Sequence, residues 1–200
     1  MSVSAVITGH TKGIGLATYE LLQDKDMNVK GLSRANGYDL ENNYDKLKNF
    51  ILNKDFDIFI NNAYVPNNQT SLLKEIYSEW SGKNKLIINI CSVAALLPIE
   101  HPDYSMQYPF DKRSQRDFCN KINFDYSKKD FKNVKCGLVN LNFDYVSTDF
   151  KSKYDKRMFP NLLPQDVANI IFYTIDSFLN NNICFRDLSF HSTRMPEIIS

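Results

Sequence analysis

A β-branched run, Val3 to Ile7, leads directly into Thr8-Gly9-His10-Thr11-Lys12-Gly13-Ile14-Gly15. After it, Leu16, Leu21 and Leu22, with Ala17 between them, form an apolar stripe at helical spacing. This order of strand, glycine turn and helix narrows the choice of folds more than any other stretch of the chain. It is the context in which glycines receive a dinucleotide pyrophosphate. Gly9 permits a tight turn, Gly13 lets the backbone approach the phosphates, and Gly15 lets the helix pack against the strand. The helix N-terminus then offers unpaired N–H groups and a positive dipole end to the anion. The spacing is Gly-x-x-x-Gly-x-Gly rather than Gly-x-Gly-x-x-Gly. Three glycines alone would be weak, and their placement carries the inference.

The rest of the chain repeats the alternation. Strands are expected near 3–8, 28–33, 56–61, 85–91, 133–140 and 183–190, and helices near 13–24, 41–54, 70–80, 109–127 and 164–180. Such alternation predicts an α/β fold, a Rossmann-type doubly wound parallel sheet, as a single domain over residues 1–200. Long loops are expected at 93–107 and 142–163, after strand C-terminal ends, where open α/β sheets bind ligands. Leu96, Leu97, Tyr104 and Phe143 in these loops suggest a moderately apolar pocket. The edge strand near Tyr38 to Leu40 is expected to be very short or absent.

Composition removes several function classes. A net charge of +1 gives no support for nucleic acid or an acidic membrane as partner. No apolar run is long enough to span a bilayer, and the first residues read as a strand, so a cytoplasmic protein is expected. Cys91, Cys119, Cys136 and Cys184 form no C-x-x-C pair, and His10, His101 and His191 are equally scattered. Neither a metal site nor a disulfide framework is expected.

Ser33-Arg34 follows the second strand. A site selective for NAD usually places a carboxylate there for the ribose 2′-hydroxyl, whereas a guanidinium suits a 2′-phosphate. Lys12 adds a second cation inside the glycine turn. The two together predict NADP as cofactor, in preference to NAD.

In this order the chain resembles the short-chain dehydrogenase/reductase family from Val3 to about Asp176. Thr8-Gly9-x-x-x-Gly13-Ile14-Gly15 matches the family's cofactor turn. Asp39-Leu40 resembles its adenine-contacting element, and Asn61-Asn62-Ala63 its Asn-Asn-Ala-Gly strand end. Ile88-Asn89-Ile90-Cys91-Ser92 resembles the strand that delivers a catalytic serine, and Tyr108-Pro109-Phe110-Asp111-Lys112 matches Tyr-x-x-x-Lys. Val146-Ser147-Thr148-Asp149 resembles the segment that grips the nicotinamide carboxamide, and Pro164-Gln165-Asp166-Val167-Ala168 the family's late helix start.

Tyr-x-x-x-Lys is unspecific in a chain with 11 Tyr, and Tyr44 to Lys48 also matches it. Tyr108 and Lys112 are preferred because they follow Ser92 by one loop and open a helix, on which residues four apart share a face. The resemblance implies Ser92, Tyr108 and Lys112 as the catalytic set. It implies Thr8, Gly9, Thr11, Lys12, Gly13, Ile14, Gly15, Ser33, Arg34, Asp39, Leu40, Asn62, Ala63, Tyr108, Lys112, Val146 and Thr148 as cofactor-binding residues. A phenol normally ionises near pH 10, and a neighbouring ammonium brings that value toward working pH. Tyr108 would exchange a proton with a carbonyl or alcohol oxygen, Lys112 would lower its pKa and hold the nicotinamide ribose, and Ser92 would orient the substrate oxygen. The implied reaction is NADP-dependent interconversion of a carbonyl and an alcohol on a small molecule, in a homodimer or homotetramer.

The chain departs from the family in several places, among them a short lid region after Thr148 and a slightly long spacing from Ser92 to Tyr108. Tyr64 stands where Asn-Asn-Ala-Gly has glycine, the stretch from Asn62 to Ile88 is short and lacks an assignable relay asparagine, and Phe143-Asp144 replaces a Pro-Gly. These departures support a second expectation, a non-catalytic NADP-binding regulatory or sensor protein. A sugar-nucleotide epimerase would need a larger C-terminal domain, and a hydrolase would need a G-x-S-x-G elbow, which the chain lacks.

Overall fold

The computed structural model describes residues 3–98, 106–126, 135–148 and 161–193. Strands β1 (Ser4–Thr8), β2 (Asn28–Leu32), β3 (Ile58–Asn61), β4 (Leu86–Ser92), β5 (Gly137–Phe143) and β6 (Asp187–Phe190) alternate with helices α1 (Gly13–Asp24), α2 (Tyr44–Asn53), α3 (Asn68–Trp80), α4 (Gln107–Tyr126) and α5 (Pro164–Asn181). The strands form one sheet in the order β2-β1-β3-β4-β5-β6, and every pairing is parallel. Chain direction across the sheet reverses between β1 and β3. A crevice opens at such a switch point, beyond the strand C-termini.

Burial on both faces explains the sequence of the strands. Ala5, Val6, Ile7, Ile58, Phe59, Ile60, Leu86, Ile87 and Ile88 are all inaccessible to solvent, so these strands read as continuous apolar runs. On one face Ile7, Ile60, Ile88 and Leu141 pack with Leu22 of α1 and with Val167, Ile171 and Ile175 of α5. On the other face Val6, Phe59, Ile87 and Leu138 meet Leu47 and Ile51 of α2, Leu72, Ile76 and Trp80 of α3, and Cys119 of α4. Pro164 opens α5 at its first turn, where a missing N–H costs nothing.

The expected strands and helices are present, with shifted bounds at the fifth strand and at the sixth, which begins at Asp187 rather than 183. The fifth strand runs from Gly137 to Phe143 rather than over 133–140, because asparagines that look like a polar strand end belong to the buried face. Phe143 consequently lines no loop pocket. It is buried in the core and stacks on Phe190 at 5.3 Å. Tyr104, the other aromatic expected there, lies outside the described residues. Near Tyr38 to Leu40 no strand forms among the described residues. The chain instead makes a 3-10 turn, Arg34–Asn36, closed by Gly37 at φ 80°.

One row of the sheet is polar. Asn61, Asn89, Asn140 and Asp187 are opposite one another in β3, β4, β5 and β6. Asn61 Nδ2 donates to Asn89 Oδ1 (2.9 Å), Asn89 Nδ2 to Asn140 Oδ1 (2.8 Å), and Asn140 Nδ2 to Asp187 Oδ1 (2.9 Å). Arg116 of α4 closes the row by donating from Nε to Asp187 Oδ2 at 2.9 Å. A buried amide is stable only when hydrogen-bonded, and each of these donates through Nδ2, although Asn61 Oδ1 has no partner among the described residues. No described helix is long and apolar enough to cross a membrane.

Candidate active site

Gly9 and Gly13 have positive φ (74° and 57°), which L residues rarely adopt. Gly15 serves a different need, since a Cβ there would stand 2.0 Å from the Gly9 carbonyl oxygen. The turn is braced from β3. The Thr8 hydroxyl accepts from the N–H groups of Asn62 and Ala63, both at 3.0 Å. Asn62 Nδ2 donates to the carbonyls of Thr8 (2.8 Å) and Gly9 (3.4 Å). Asn62 thus shapes the turn with its side chain.

A cavity of about 520 Å³ lies over this turn. Thr8, Gly9, Thr11, Lys12, Ser33, Arg34, Asp39, Leu40 and Ala63 line it, together with Tyr38, Tyr64 and Pro66. Lys12 and Arg34, exposed cations, face the same cavity. Asp39 also lines it, and hydrogen bonds from Asn42 and the Glu41 backbone hold its carboxyl below the ordinary range. Lys12, the N-cap of α1, supplies no side-chain cap, so among the described residues no capping side chain occupies the first-turn N–H groups. Gly13, Ile14 and Gly15, the first residues of α1, are not among the residues that line the cavity. Thr148 is packed against Gly13, where a Cβ would lie 3.1 Å from its Cγ2. Val146 is fixed by a bridge to Leu162. Asp149 lies outside the described residues.

The cavity fits a nucleotide. It has a glycine cradle, an uncapped helix start, an apolar side from Leu32, Leu40 and Leu47, and two cations at its rim.

Beside it, β4 ends at Ser92 and α4 begins at Gln107. Pro109 is the third residue of α4, where no intrahelical N–H partner is needed. Tyr108 is half-buried, with the Ser92 side chain close enough to act on its phenol. Burial pushes the phenol up to about 12, while the Ser92 side chain favours the phenolate. Lys112, one turn along, is 3% exposed, and its ammonium lies 5.5 Å from the centre of the Tyr108 ring. Burial pulls it down to about 8. Nζ donates to Gln69 Oε1 at 2.8 Å and to the Ile90 carbonyl at 2.9 Å.

Tyr64 connects this group to the cavity. Its ring stands edge-on to Tyr108 at 4.9 Å, and Lys112 Nζ lies 5.3 Å from its centre. Its hydroxyl donates to Asp111 Oδ2 at 3.0 Å, and the same oxygen accepts from the Asn67 N–H at 3.2 Å. The second Tyr-x-x-x-Lys is elsewhere, on α2. Tyr44 donates to Glu75 at 3.0 Å, and Lys48 pairs with Glu75 and Asp45.

No family model matches the sequence, and no curated relative does. Solved structures do match. The 3-alpha-hydroxysteroid dehydrogenase from Pseudomonas sp. B-0831, complexed with NADH, superposes with a TM-score of 0.71 over 93% of this chain and 95% of its own, at 18% identity. An alcohol dehydrogenase from the archaeon Thermococcus sibiricus, complexed with 5-hydroxy-NADP, gives 0.67 over 98% and 100%, at 17% identity. A 4-hydroxyisoleucine dehydrogenase complexed with NADH gives 0.72 over 96% and 98%, at 18% identity.

The fold is that of the short-chain dehydrogenases/reductases. Within this short-chain dehydrogenase/reductase fold, Ser92, Tyr108 and Lys112 meet at the end of β4 and the start of α4, next to the glycine-turn cavity.

Sequence reasoning missed Gln69, which is fully buried and in direct contact with Lys112. A signal was available. Gln69, Leu72, Leu73, Ile76 and Trp80 share the buried stripe of α3, so the polar member of that stripe needs a buried partner. Asp111 was also missed. It is 2% exposed and ties Tyr64 to α4.

Proposed function

We propose that this protein is an oxidoreductase that interconverts a carbonyl and an alcohol on a small molecule, with NADP as cofactor. The observation that carries the reading is the Lys112 ammonium 5.5 Å from the centre of the Tyr108 ring, with Ser92 beside the phenol, next to a cavity built on a glycine turn. Structures of the same fold complexed with NADH and with 5-hydroxy-NADP support a nicotinamide dinucleotide. Lys12 and Arg34 at the cavity rim favour the 2′-phosphate form.

Thr8, Gly9, Thr11, Lys12, Ser33, Arg34, Asp39, Leu40 and Ala63 would hold the adenosine and phosphates, with Val146 and Thr148 on the nicotinamide side. The cofactor, when bound, supplies or accepts the hydride. The chain manages the proton and the charge. Tyr108, un-ionised near neutral pH, gives its phenolic proton to the carbonyl oxygen during reduction. Ser92 hydrogen-bonds the same oxygen and stabilises charge as it develops. Lys112 places a positive charge against the ring, so that the phenolate left behind is stabilised.

Tyr108→Phe removes only the hydroxyl. Turnover on a carbonyl panel with NADPH should fall by about two to four orders of magnitude, while fold and cofactor binding persist. Tyr44→Phe should leave turnover unchanged. A Tyr108→Phe variant with the wild-type rate would refute the assignment.

One observation favours a second reading, a non-catalytic NADP-binding regulator. The Tyr64 ring covers Lys112, which keeps the ammonium nearly inaccessible. NADPH binding with no turnover across that panel, in the wild type and in Tyr64→Gly, would select it.

A further inference from the structure

Lys112 is a charged group in the middle of the protein, and a buried ammonium persists only where fixed acceptors replace its water. Its two acceptors are the Ile90 carbonyl, which belongs to β4, and the side-chain carbonyl of Gln69. Gln69 is held by its own amide group. Nε2 donates to the Asn61 carbonyl at 2.9 Å and to the Ile90 carbonyl at 3.3 Å. Only one orientation of this amide can be satisfied. A flip would set its oxygen against two strand carbonyls and its NH₂ against an ammonium.

The oxygen is braced a second time. Gln115 of α4 donates from Nε2 to Gln69 Oε1 and to Thr70 Oγ1, both at 3.2 Å. Gln115 Oε1 accepts from Asn89 Nδ2 at 3.2 Å, so the brace is anchored in the polar row of the sheet. Gln69, Lys112 and Gln115 are each 3% exposed or less.

We propose that Gln69 is a positioning residue for the reaction: its side-chain carbonyl keeps the Lys112 ammonium in place and charged against the Tyr108 ring. The proposal rests on Tyr108 and Lys112 being the reacting pair. Among the described residues, five side chains face the ammonium: Tyr108 and Asp111 from α4, Cys91 from β4, Tyr64 from the segment after β3, and Gln69 from α3. Burial holds Cys91, Tyr64 and Tyr108 in their neutral forms near pH 7. Asp111 is engaged by Tyr64, the Asn67 N–H and Gln107. Gln69 is the neutral side-chain dipole aimed directly at Nζ, beside the Ile90 backbone carbonyl.

The test is an NMR titration of Lys112 in the full-length protein with isotope-labelled lysine. Gln69→Met fills similar volume without the carbonyl, and Gln69→Glu puts a carboxylate in its place. The wild-type midpoint should lie near the depressed value of about 8. Gln69→Met should lower it by about one pH unit, the effect of a lost hydrogen bond to a charge. Gln69→Glu should raise it by about one to two units. A packing role alone would leave the Gln69→Met midpoint in place, and an unmoved midpoint in that variant would overturn the proposal, because an added carboxylate raises the Lys112 midpoint whatever Gln69 does. If Gln69→Met does not fold, Gln69→Leu takes its place. If neither folds, the wild type decides: its Lys112 ammonium should give a slowly exchanging resonance with contacts to the Gln69 side chain, and absence of those contacts overturns the proposal. The readout needs no turnover. Wild-type activity in Tyr108→Phe would defeat the catalytic reading while the Lys112 midpoints still moved as stated.

Discussion

Stability should rise with pH above about 8, and Lys112 should be the cause. The side chain is 3% exposed, with a folded-state pKa near 8 against 10.5 for an ordinary lysine. The folded pKa is the lower one. The unfolded chain therefore binds more protons between those values, and unfolding becomes harder as pH rises through the window. Below about pH 8 both states are protonated and this contribution is flat. At roughly 1.4 kcal/mol per unit, the burial of the charge costs about 3 kcal/mol at neutral pH. About 2 to 3 kcal/mol of that is regained by pH 10.

Lys112→Met isolates the effect, because other titrating groups are common to both proteins. Urea unfolding of each at intervals from pH 7 to 10 gives the two stabilities. Wild type minus variant should climb across the range by about 2 to 3 kcal/mol, whatever its offset at pH 7. A difference that stays level, or that falls with pH, would refute a buried, depressed Lys112.

Arg34→Asp should weaken NADPH binding about tenfold or more and abolish the preference over NADH, read by fluorescence titration, because one of two rim cations is replaced by a carboxylate. Gly15→Ala should lose dinucleotide binding and destabilise the fold by about 1–3 kcal/mol in urea melts, since its Cβ would meet the Gly9 backbone. Asn89→Leu should cost about 3 kcal/mol or more, because Asn61, Gln115 and Asn140 each lose a buried partner. An unchanged melting temperature would reject that account.

The fold was legible because apolar strands covered on both faces are hard to mistake. Ile87 and Ile88 sit on opposite faces of β4, and each is fully buried. The glycine turn was legible because Gly9, Gly13 and Gly15 each answer a separate steric demand. Ser92, Tyr108 and Lys112 emerged from their order along the chain, which tracks strand end and helix start. What stayed hidden was polar and buried. Asn140 and Asn142 disguised the true extent of β5, and Gln69 resembled a solvated residue just outside the start of its helix. A polar side chain announces its burial only through its partners, and those come from other elements: Gln69 is matched by Lys112, 43 positions away.

The asparagine row has a consequence for how the sheet assembles. A parallel sheet of isoleucine, leucine and valine is nearly degenerate to sliding, because a shift of two residues presents the same face again. Here a slip between β4 and β5 in one direction sets Asn89 against Leu138, and between β3 and β4 it sets Asn61 against Ile87. Either mispairing strands an amide in a dry interior. The row thus works as a key cut across the strands, which turns only when all of them are in step, and the setting that it selects places Ser92 at the sheet's working edge.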